Sequence, residues 1–459
     1  MIKTETGQSS IRIAIVGHTN TGKTSLIRTL LRDENFGKIN DEAGTTRHVE
    51  KTSIYVRERE VLSLFDTPGF EDSSALLQLL DEIESSVSTQ LPIDVLRQFL
   101  QQSEQHPDFI QEAKVIRQAI HSDVLLYIID VREPVLGKYR DEVEILSKTG
   151  KPILPVFNFI AGNDEGLKRW RAQMALFNLH AALEFDSVAF DFESEKRLYQ
   201  KLQSLLESRY ELIQSLLDFR QTVWQKLTHA AVKRILKMLI EVASYRIEVN
   251  ASHGTTDEEI AKMQNFVRTA EKKTLADLLR IFAFTQVDSD LQQIPAKDGE
   301  WTLDIFSPRA LKEFGQTAGA SALKGATAGA GIDLMVGGMS LGAAAALGAV
   351  LGAGFSTIKR YQRELKAAFS GNKWLCVNNE TINVLYLRQR DLLHTLTHRG
   401  HAAQDKLRLG KNTQYSLPKD WSGFVETIRH HPEWASSDET DNDYMQIQSK
   451  FISWVLQVK

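Results

Sequence analysis

The chain has 459 residues, too many for one ordinary domain, so we expect two or three domains. Its composition, with 42% hydrophobic and 25% charged residues, is that of a soluble globular protein. The formal net charge of −4 excludes the strong basic surplus that sequence-independent binding to nucleic acid normally requires, so nucleic acid is not an expected partner.

The first 192 residues alternate strand-like and helix-like patterns, which predicts an α/β domain with a mostly parallel sheet and helices on both faces. The predicted strands are Ile11–Val16, Lys51–Arg57, Glu60–Phe65, Val124–Asp130, Ile153–Phe157 and Asp186–Phe190, and the first predicted helix is Thr24–Arg32. Residues 72–121 have a continuous helical pattern, which we interpret as an insertion, because a compact domain of this type needs only one helix there.

The second half is predicted to be mainly α-helical, with a helical domain over residues 193–313. Its long amphipathic helices are predicted at Lys196–Lys226, Ala230–Tyr245 and Asp257–Ala283. They form either the core of a bundle or a dimer interface. Residues 371–459 are a mixed region with two strand-like stretches, WLCVNN and INVLYL, and a last helix at Tyr444–Val458.

A phosphate-binding loop is predicted directly after the first strand. The residues that match GxxxxGK[ST] are Gly17, His18, Thr19, Asn20, Thr21, Gly22, Lys23 and Thr24, and Ser25 follows them in the first turn of the helix. Glycines let successive backbone N–H groups point into one concavity, to which the helix N-terminus adds positive potential. The Lys23 side chain then reaches the β- and γ-phosphates, and the Thr24 hydroxyl is a ligand for Mg²⁺.

Two further motifs follow in the order that a nucleoside triphosphatase requires. Asp66 ends an apolar strand and is followed by Thr67-Pro68-Gly69, so its carboxylate can hold Mg²⁺ through water while the Gly69 N–H meets the γ-phosphate. The polar segment Gly44-Thr45-Thr46-Arg47 lies between the first helix and the second strand. A threonine in such a loop closes over Mg²⁺ and the γ-phosphate.

These three motifs resemble those of the translation-factor-class GTPases typified by Era and TrmE. The resemblance covers residues 11–192 and implies a Ras-like P-loop fold that binds GTP, GDP and Mg²⁺. Thr46, or alternatively Thr45, would be the Mg²⁺ ligand of the switch segment. Asn20 matches the asparagine that supports K⁺ in potassium-stimulated members, and the alternative is that Asn20 only shapes the loop.

After DTPG the family that the chain resembles also carries hydrophobic residues, whereas the chain departs from that family at two positions of the guanine-reading motif. Phe70 follows the DTPG motif where Ras-like proteins carry a water-orienting glutamine, so hydrolysis is expected to be slow and no catalytic base is assigned. In the guanine-reading motif NKxD, Asn158 is in place, but Phe159 replaces the lysine and Ala161 the aspartate. Asp164 could substitute only if the loop bends back, so ATP or relaxed specificity stays open.

The residues HTNTGKTSL, TTRHVE, DTPG and NFIA also resemble a bacterial family in which such a GTPase domain is fused to a helical domain of unknown function. This resemblance implies the domain layout and a role near a membrane.

Residues 314–370 are rich in glycine and alanine and are predicted to form a helical hairpin with its turn at Asp333. Repeated GxxxG spacing over 315–354 indicates close approach of helices. Leu334–Ile358 contains no charge and is long enough for one membrane span. Three interpretations of the hairpin stay open. It is buried inside a soluble domain, it inserts into or associates with a membrane, or it forms a helix-packing interface for a protein partner.

The single cysteine, a group of histidines and the N-terminal sequence give three further expectations. The single cysteine, Cys376, excludes an intramolecular disulfide and is expected to be buried. His394, His398 and His401 share a helical face, but no motif completes a zinc site, so a solvated or base-stacked face is expected. The opening sequence lacks a secretory apolar region, which predicts a cytoplasmic location, with association with the inner face of the membrane as an alternative.

Three functions remain open. The first is a slow GTP-hydrolysing switch whose C-terminal helical half couples the nucleotide state to a membrane or protein partner, with self-association through the GTPase domain as one form of this. The second is a membrane-remodelling GTPase that assembles through its GTPase domains. The third is an Era-like factor associated with the ribosome or RNA, for which no basic RNA-binding module is recognisable.

Overall fold

The computed structural model describes residues 10–31, 49–86, 91–185, 192–249, 256–282, 296–297, 300–301, 304–307, 332–336, 373–397, 416–435 and 442–456. The chain divides into two compact units. Unit 1 comprises Met1–Gln225 and Thr397–Gln404, and unit 2 comprises Lys226–Leu396 and Asp405–Lys459.

Unit 1 is built on a six-stranded sheet with the strand order β2-β3-β1-β4-β5-β6. The strands are β1 (Ile11–Val16), β2 (Glu50–Val56), β3 (Arg59–Asp66), β4 (Val124–Asp130), β5 (Ile153–Asn158) and β6 (Leu183–Glu184). β2 pairs antiparallel with β3, and the other neighbours are parallel. The predicted mostly parallel sheet is confirmed, although the sixth strand lies at 183–184 and the predicted segment 186–190 falls outside the described residues.

Both faces of this sheet are covered by helices. The helices of the first half are α1 (Lys23–Leu31), α2 (Ser73–Ser86), α3 (Pro92–Gln101), α4 (Ile110–Ile120), α5 (Gly137–Ser147), α6 (Asp164–Leu176), α7 (Phe192–Leu205) and α8 (Tyr210–Ser244). α1, α7 and the start of α8 bury the face that carries Ile13 and Ile15, whereas α2 to α6 bury the face that carries Ala14 and Val16. Burial on both faces explains the continuous apolar sequence of the central strands.

The inserted segment 72–121 is helical, as its pattern predicts. Leu76 and Leu80 of α2, Phe99 of α3 and Ile116 of α4 all lie in the core on one face of the sheet. The insertion is therefore part of the hydrophobic core of unit 1.

Unit 1 also extends beyond the predicted domain boundary at residue 192. Leu198 and Leu202 of α7 and Leu216 of α8 are buried in the core on the other face of the sheet. These residues are buried in the same cluster as those of α1, and the boundary between the compact units falls at Gln225, within α8.

Unit 2 is mainly helical. Its helices after α8 are α9 (Asp257–Ile281), α10 (Asn379–Thr397), α11 (Trp421–Arg429) and α12 (Asn442–Leu456), and its strands are β7 (Arg246–Val249), β8 (Ala296–Lys297), β9 (Glu300–Trp301), β10 (Ile332–Val336) and β11 (Lys373–Val377). β10, β11 and β7 form an antiparallel sheet in that order. Cys376 in β11 is buried, as expected.

Several predictions for the second half are corrected. The stretch INVLYL, predicted to be strand-like, lies inside α10. Its apolar residues are buried on all sides of the helix, so the sequence has no helical period that would distinguish a helix from a strand. The predicted break between Lys226 and Ala230 does not exist, since α8 is continuous over 35 residues. Asp333, predicted at a hairpin turn, lies in β10 and pairs with Cys376.

The rest of the glycine-rich segment 314–370 lies outside the described residues. Within the described ranges, no helix combines the length and the apolar character that are needed to cross a bilayer.

A buried ion pair lies in the interior of unit 2. Arg388 Nε of α10 is 3.1 Å from Glu271 Oε1 of α9, and both side chains are almost fully buried. Burial raises the pKa of Glu271 from 4.5 to about 7, although the Arg388 charge acts in the opposite direction. Because the folded state binds this proton more tightly than the unfolded state, the stabilisation is complete below the unfolded pKa and is lost as the pH rises through 7.

We predict that acidification from pH 8 to pH 5.5 stabilises unit 2 through Glu271 by on the order of 2 kcal/mol. The Glu271→Gln variant, which cannot titrate at this position, should lack this part of the pH dependence. Denaturant unfolding followed by circular dichroism at several pH values measures the difference. Parallel stability profiles for the variant and the wild type would contradict the assignment.

Candidate functional site

The predicted phosphate-binding loop joins β1 to α1 at the carboxyl edge of the sheet. Gly22 has a φ of +91° and Asn20 a φ of +61°, conformations that glycine and asparagine adopt more readily than other residues. A Cβ atom on Gly22 would lie 2.3 Å from Asn158 Nδ2, so the position leaves no room for a side chain. The loop leads directly into the N-terminus of α1, the arrangement that binds phosphate in proteins.

The Lys23 side chain is buried beneath this loop. Its Nζ donates hydrogen bonds to the carbonyl oxygens of His18 at 2.6 Å and Gly17 at 3.2 Å. Desolvation lowers the pKa of Lys23 to about 8, and the charges of Asp66 and Glu142 oppose that shift. The loop carbonyls therefore hold a buried cation where the phosphates are expected.

Asp66 and Thr24 lie together at the ends of β3 and the start of α1. Thr24 Oγ1 donates to Asp66 Oδ2 at 2.5 Å, and Asp66 Oδ1 is buried with no hydrogen-bond partner among the described residues. Burial raises the pKa of Asp66 to about 6, which the Thr24 hydrogen bond and the Lys23 charge oppose. A desolvated carboxylate beside a hydroxyl fits Mg²⁺, a hard cation that prefers oxygen ligands. When bound, Mg²⁺ would neutralise charge on the phosphates, with Thr24 and Asp66 holding it.

The DTPG segment is fastened against the phosphate loop. Thr67 Oγ1 donates to the carbonyl oxygen of Ile15 at 2.7 Å. A Cβ atom on Gly69 would lie 2.5 Å from Thr19 N, so the two backbones approach as closely as only glycine allows. Phe70 forms a parallel bridge with His18, and its side chain is fully buried. Phe70 therefore belongs to the hydrophobic core, not to the surface where a water would be oriented.

Asn158 connects the end of β5 to the phosphate loop. Its Nδ2 donates to the carbonyl oxygen of Thr21 at 3.0 Å, and its Oδ1 accepts from the N–H of Phe159. The Phe159 ring is the next atom group that a Cβ on Gly22 would meet, at 3.3 Å. Phe159 thus lies against the loop where the family's lysine is expected.

The position of the base-reading aspartate offers no carboxylate. Ala161 is exposed, and Asp164 is the exposed first residue of α6. The Arg132 guanidinium stacks over the Phe159 ring at 3.9 Å and is bonded to Asp130. This stack fixes an aromatic ring beside the loop without supplying an acceptor for the base.

A buried network behind the loop was not predicted from the sequence. Lys138 Nζ lies 2.8 Å from His18 Nε2, and an ammonium only donates, so Nε2 accepts and Nδ1–H donates to Glu142 Oε1 at 2.8 Å. The Tyr127 hydroxyl donates to Glu142 Oε2, and burial raises the pKa of Tyr127. An acid next to Val143 on the buried side of a helix is the one signal that could have indicated Glu142.

Some of the remaining predicted site residues lie in the described ranges and others do not. Asn20 lies at the exposed end of the loop and Ser25 in the first turn of α1, where its carbonyl oxygen accepts from Thr29 Oγ1. Thr46 and the alternative Thr45 lie outside the described residues. Of the three histidines, His394 lies on α10 and His398 and His401 are not described. No group of three or more His, Cys, Asp or Glu side chains in the described ranges could hold a metal ion.

Two family models match the chain. "50S ribosome-binding GTPase" matches residues 12–159, and "Domain of unknown function (DUF3482)" matches residues 171–454, more than half of the chain. The chain belongs to the DUF3482 family. Together with the loop, Asp66 and the sheet order, the two matches show an Era-like P-loop GTPase domain followed by a helical domain of unknown function.

Curated relatives are similar to part of the chain. GTPase Era from Campylobacter jejuni subsp. doylei is 25% identical over 272 residues, which are 58% of this chain and 90% of Era. GTPase Der from Campylobacter concisus is 28% identical over 159 residues, which are 35% of this chain and 27% of Der.

Two structures of Era are among the solved structures to which the chain is similar. Era in complex with MgGDPNP and nucleotides 1506–1542 of 16S ribosomal RNA is 16% identical, with a TM-score of 0.28, over 39% of this chain and 52% of that one. A variant of Era from Aquifex aeolicus bound to GDP and AlF4⁻ is 14% identical, with a TM-score of 0.28, over 59% and 90% of the two chains.

We predict that Gly22→Ala weakens GDP binding by about tenfold or more, because a strained backbone and a clash with Asn158 Nδ2 cost at least about 1.4 kcal/mol. Gly137→Ala is the matched control, since a Cβ atom there meets nothing within 4 Å. Titration calorimetry with GDP measures both variants. Equal dissociation constants for Gly22→Ala and the wild type would exclude the contact as a constraint on the loop.

We also predict that ITP, which lacks the 2-amino group of GTP, binds within about threefold of GTP, because Ala161 supplies no acceptor for that group. The Ala161→Asp variant should prefer GTP over ITP. Competition against a fluorescent GDP analogue gives the ratio. A wild-type preference for GTP above about tenfold would indicate another acceptor, which Asp164→Asn then tests.

Proposed function

We propose that this DUF3482 protein is a Mg²⁺-dependent switch that hydrolyses GTP slowly and whose C-terminal helical half couples the nucleotide state to a membrane or protein partner. The burial of Phe70 carries the proposal. Directly after the DTPG segment, this chain places a core side chain where a water-orienting group would be needed. An unassisted GTPase of this kind turns over at about 10⁻³ s⁻¹ or slower, which suits a switch.

The extent of the family domain supports coupling between the two halves. The DUF3482 match begins at residue 171, inside α6, and continues through β6 and α7, which belong to the GTPase sheet and its core. The same family domain therefore includes elements of unit 1 and nearly all of unit 2. A single family domain that includes parts of both units is well suited to transmit the state of the nucleotide.

The partner is proposed to be met in the cytoplasm or at the inner face of the membrane. The glycine-rich segment 315–358 is the part of the chain with the composition for membrane contact. An RNA partner is the alternative that the relatives favour, since the Era structure contains ribosomal RNA and the matched GTPase family is described as ribosome-binding. The expectation from net charge alone does not exclude that alternative.

Potassium is proposed to complete the site. Asn20 occupies the exposed end of the phosphate loop, and a cation beside the phosphates stabilises the charge that develops in the transition state.

The proposal is tested by GTP hydrolysis in K⁺ and in Na⁺ buffers. We expect a slow basal rate that K⁺ raises by about tenfold, equivalent to about 1.4 kcal/mol of transition-state stabilisation. Lys23→Ala should lose nucleotide binding, whereas Lys168→Ala on the exposed side of α6 should not. Tight GTP binding by Lys23→Ala would remove the central claim, and equal rates in K⁺ and Na⁺ would remove the role of Asn20.

Flotation with liposomes of bacterial lipid, in GDP and in a non-hydrolysable GTP analogue, separates the partners. Nucleotide-dependent flotation supports the membrane. Absence of flotation in both states would exclude the membrane and leave a protein as the proposed partner. A faster rate of GTP hydrolysis on addition of ribosomes or RNA would favour the Era-like alternative.

A further inference from the structure

The inserted helices contact the segment that follows DTPG through one buried carboxylate. Glu112 of α4 accepts two backbone hydrogen bonds at Oε1, from the N–H of Glu71 at 2.9 Å and of Asp72 at 3.0 Å. The Glu112 side chain is 1% exposed, and its Oε2 is buried with no hydrogen-bond partner among the described residues. The two donors lie about forty residues earlier in the chain.

Asp72 directly precedes α2, which begins at Ser73, so its N–H is one of the groups at the helix N-terminus that need an acceptor, and the N–H of Glu71 lies beside it. The first N–H groups of a helix have no partner within the helix, and a carboxylate there also interacts favourably with the helix dipole. Local side chains usually provide this cap, and Asp72 Oδ1 does accept from the N–H of Ala75 at 3.0 Å. Glu112, from another helix, supplies the acceptor for the N–H groups of Glu71 and Asp72, at the cost of burying a carboxylate.

The same segment carries Gly69, whose N–H is expected to meet the γ-phosphate. Gly69 is two residues before Glu71, and its backbone is in close approach to Thr19. A second tether holds the other side of the segment, since Ser73 Oγ donates to the carbonyl oxygen of Lys138 at 2.7 Å. Only residues 69–72 lie between these anchors, so the two hydrogen bonds that Glu112 accepts restrict the same short segment as the contact at Gly69.

We propose that Glu112 is a positioning residue for GTP hydrolysis: it holds Glu71 and Asp72 so that the Gly69 N–H meets the γ-phosphate. The inserted helices α2 to α4 are then the part of unit 1 through which the nucleotide state is read or altered. The proposal rests on the GTPase function and adds the residue that connects this function to the insertion.

The test compares Glu112→Ala with Glu112→Gln. The glutamine keeps an oxygen acceptor of the same reach, whereas alanine removes it. Since the γ-phosphate is present only in the triphosphate, the readout is the ratio of GTPγS affinity to GDP affinity, measured by calorimetry on the full chain. Glu104→Ala, an exposed acid of the same insertion, is the matched control.

We expect Glu112→Ala to lower the GTPγS-to-GDP affinity ratio by about tenfold, with GDP affinity unchanged, and Glu112→Gln to stay within about threefold of wild type. The single-turnover rate, normalised to GDP-binding sites, should fall in parallel. Hydrogen exchange should report faster exchange of the Glu71 and Asp72 amides in the alanine variant alone.

Two outcomes overturn the proposal. An unchanged affinity ratio for Glu112→Ala that still binds GDP with full stoichiometry makes Glu112 a structural cap only. An equal loss in Glu112→Gln and Glu112→Ala attributes the effect to charge and not to the accepted hydrogen bonds. A wild-type protein that binds neither nucleotide would instead remove the GTPase function itself, so the two failures are distinguishable.

Discussion

The site depends on the burial of two opposite charges at the carboxyl edge of a parallel sheet. Lys23 and Asp66 are both almost fully removed from water. Burial lowers the pKa of Lys23 and raises the pKa of Asp66, so it favours the neutral form of each group. The protein offsets this with loop carbonyls for Lys23 and the Thr24 hydroxyl for Asp66. A polyphosphate and a divalent cation supply the charges that these groups lack, so the site is poised to bind them.

The surroundings of the loop are arranged to keep this geometry. Asn158 holds the end of the loop near Thr21 by a hydrogen bond, and the His18–Glu142 hydrogen bond holds its beginning. Asn158 is the last residue of β5, and Glu142 lies on α5, the helix that follows β4, so two different parts of unit 1 fix the loop. The close approach of Gly69 to Thr19 then brings the segment after β3 to the same point.

The sequence predicts the first half well because its signals are local. Strands buried on both faces read as continuous apolar runs, and β1 and β4 were predicted with their observed bounds. The phosphate loop, Asp66 and Asn158 follow from motifs whose spacing is set by phosphate and cation chemistry. The structure brings these residues together in unit 1.

What the sequence does not predict depends on distant contacts. Glu112, Glu142 and Lys138 belong to no recognised motif, and only the packing of their helices makes them partners of the loop and of α2. The stretch INVLYL was predicted as a strand for the related reason that burial on all sides erases the helical period. The boundary at residue 192 likewise ignores the core residues that α7 and α8 contribute.

The sequence separation of the tethers has a consequence for folding. Asn158 and Thr21 are 137 residues apart, and His18 and Glu142 are 124 apart, so the loop acquires its fastenings only after β5 has been added to the sheet. Contacts of such long range are slow to form, and a chain emerging from synthesis lacks them until residue 158 is available. Because a ligand that binds only the native state draws the equilibrium towards that state, nucleotide binding would follow the formation of these contacts and protect unit 1 from unfolding.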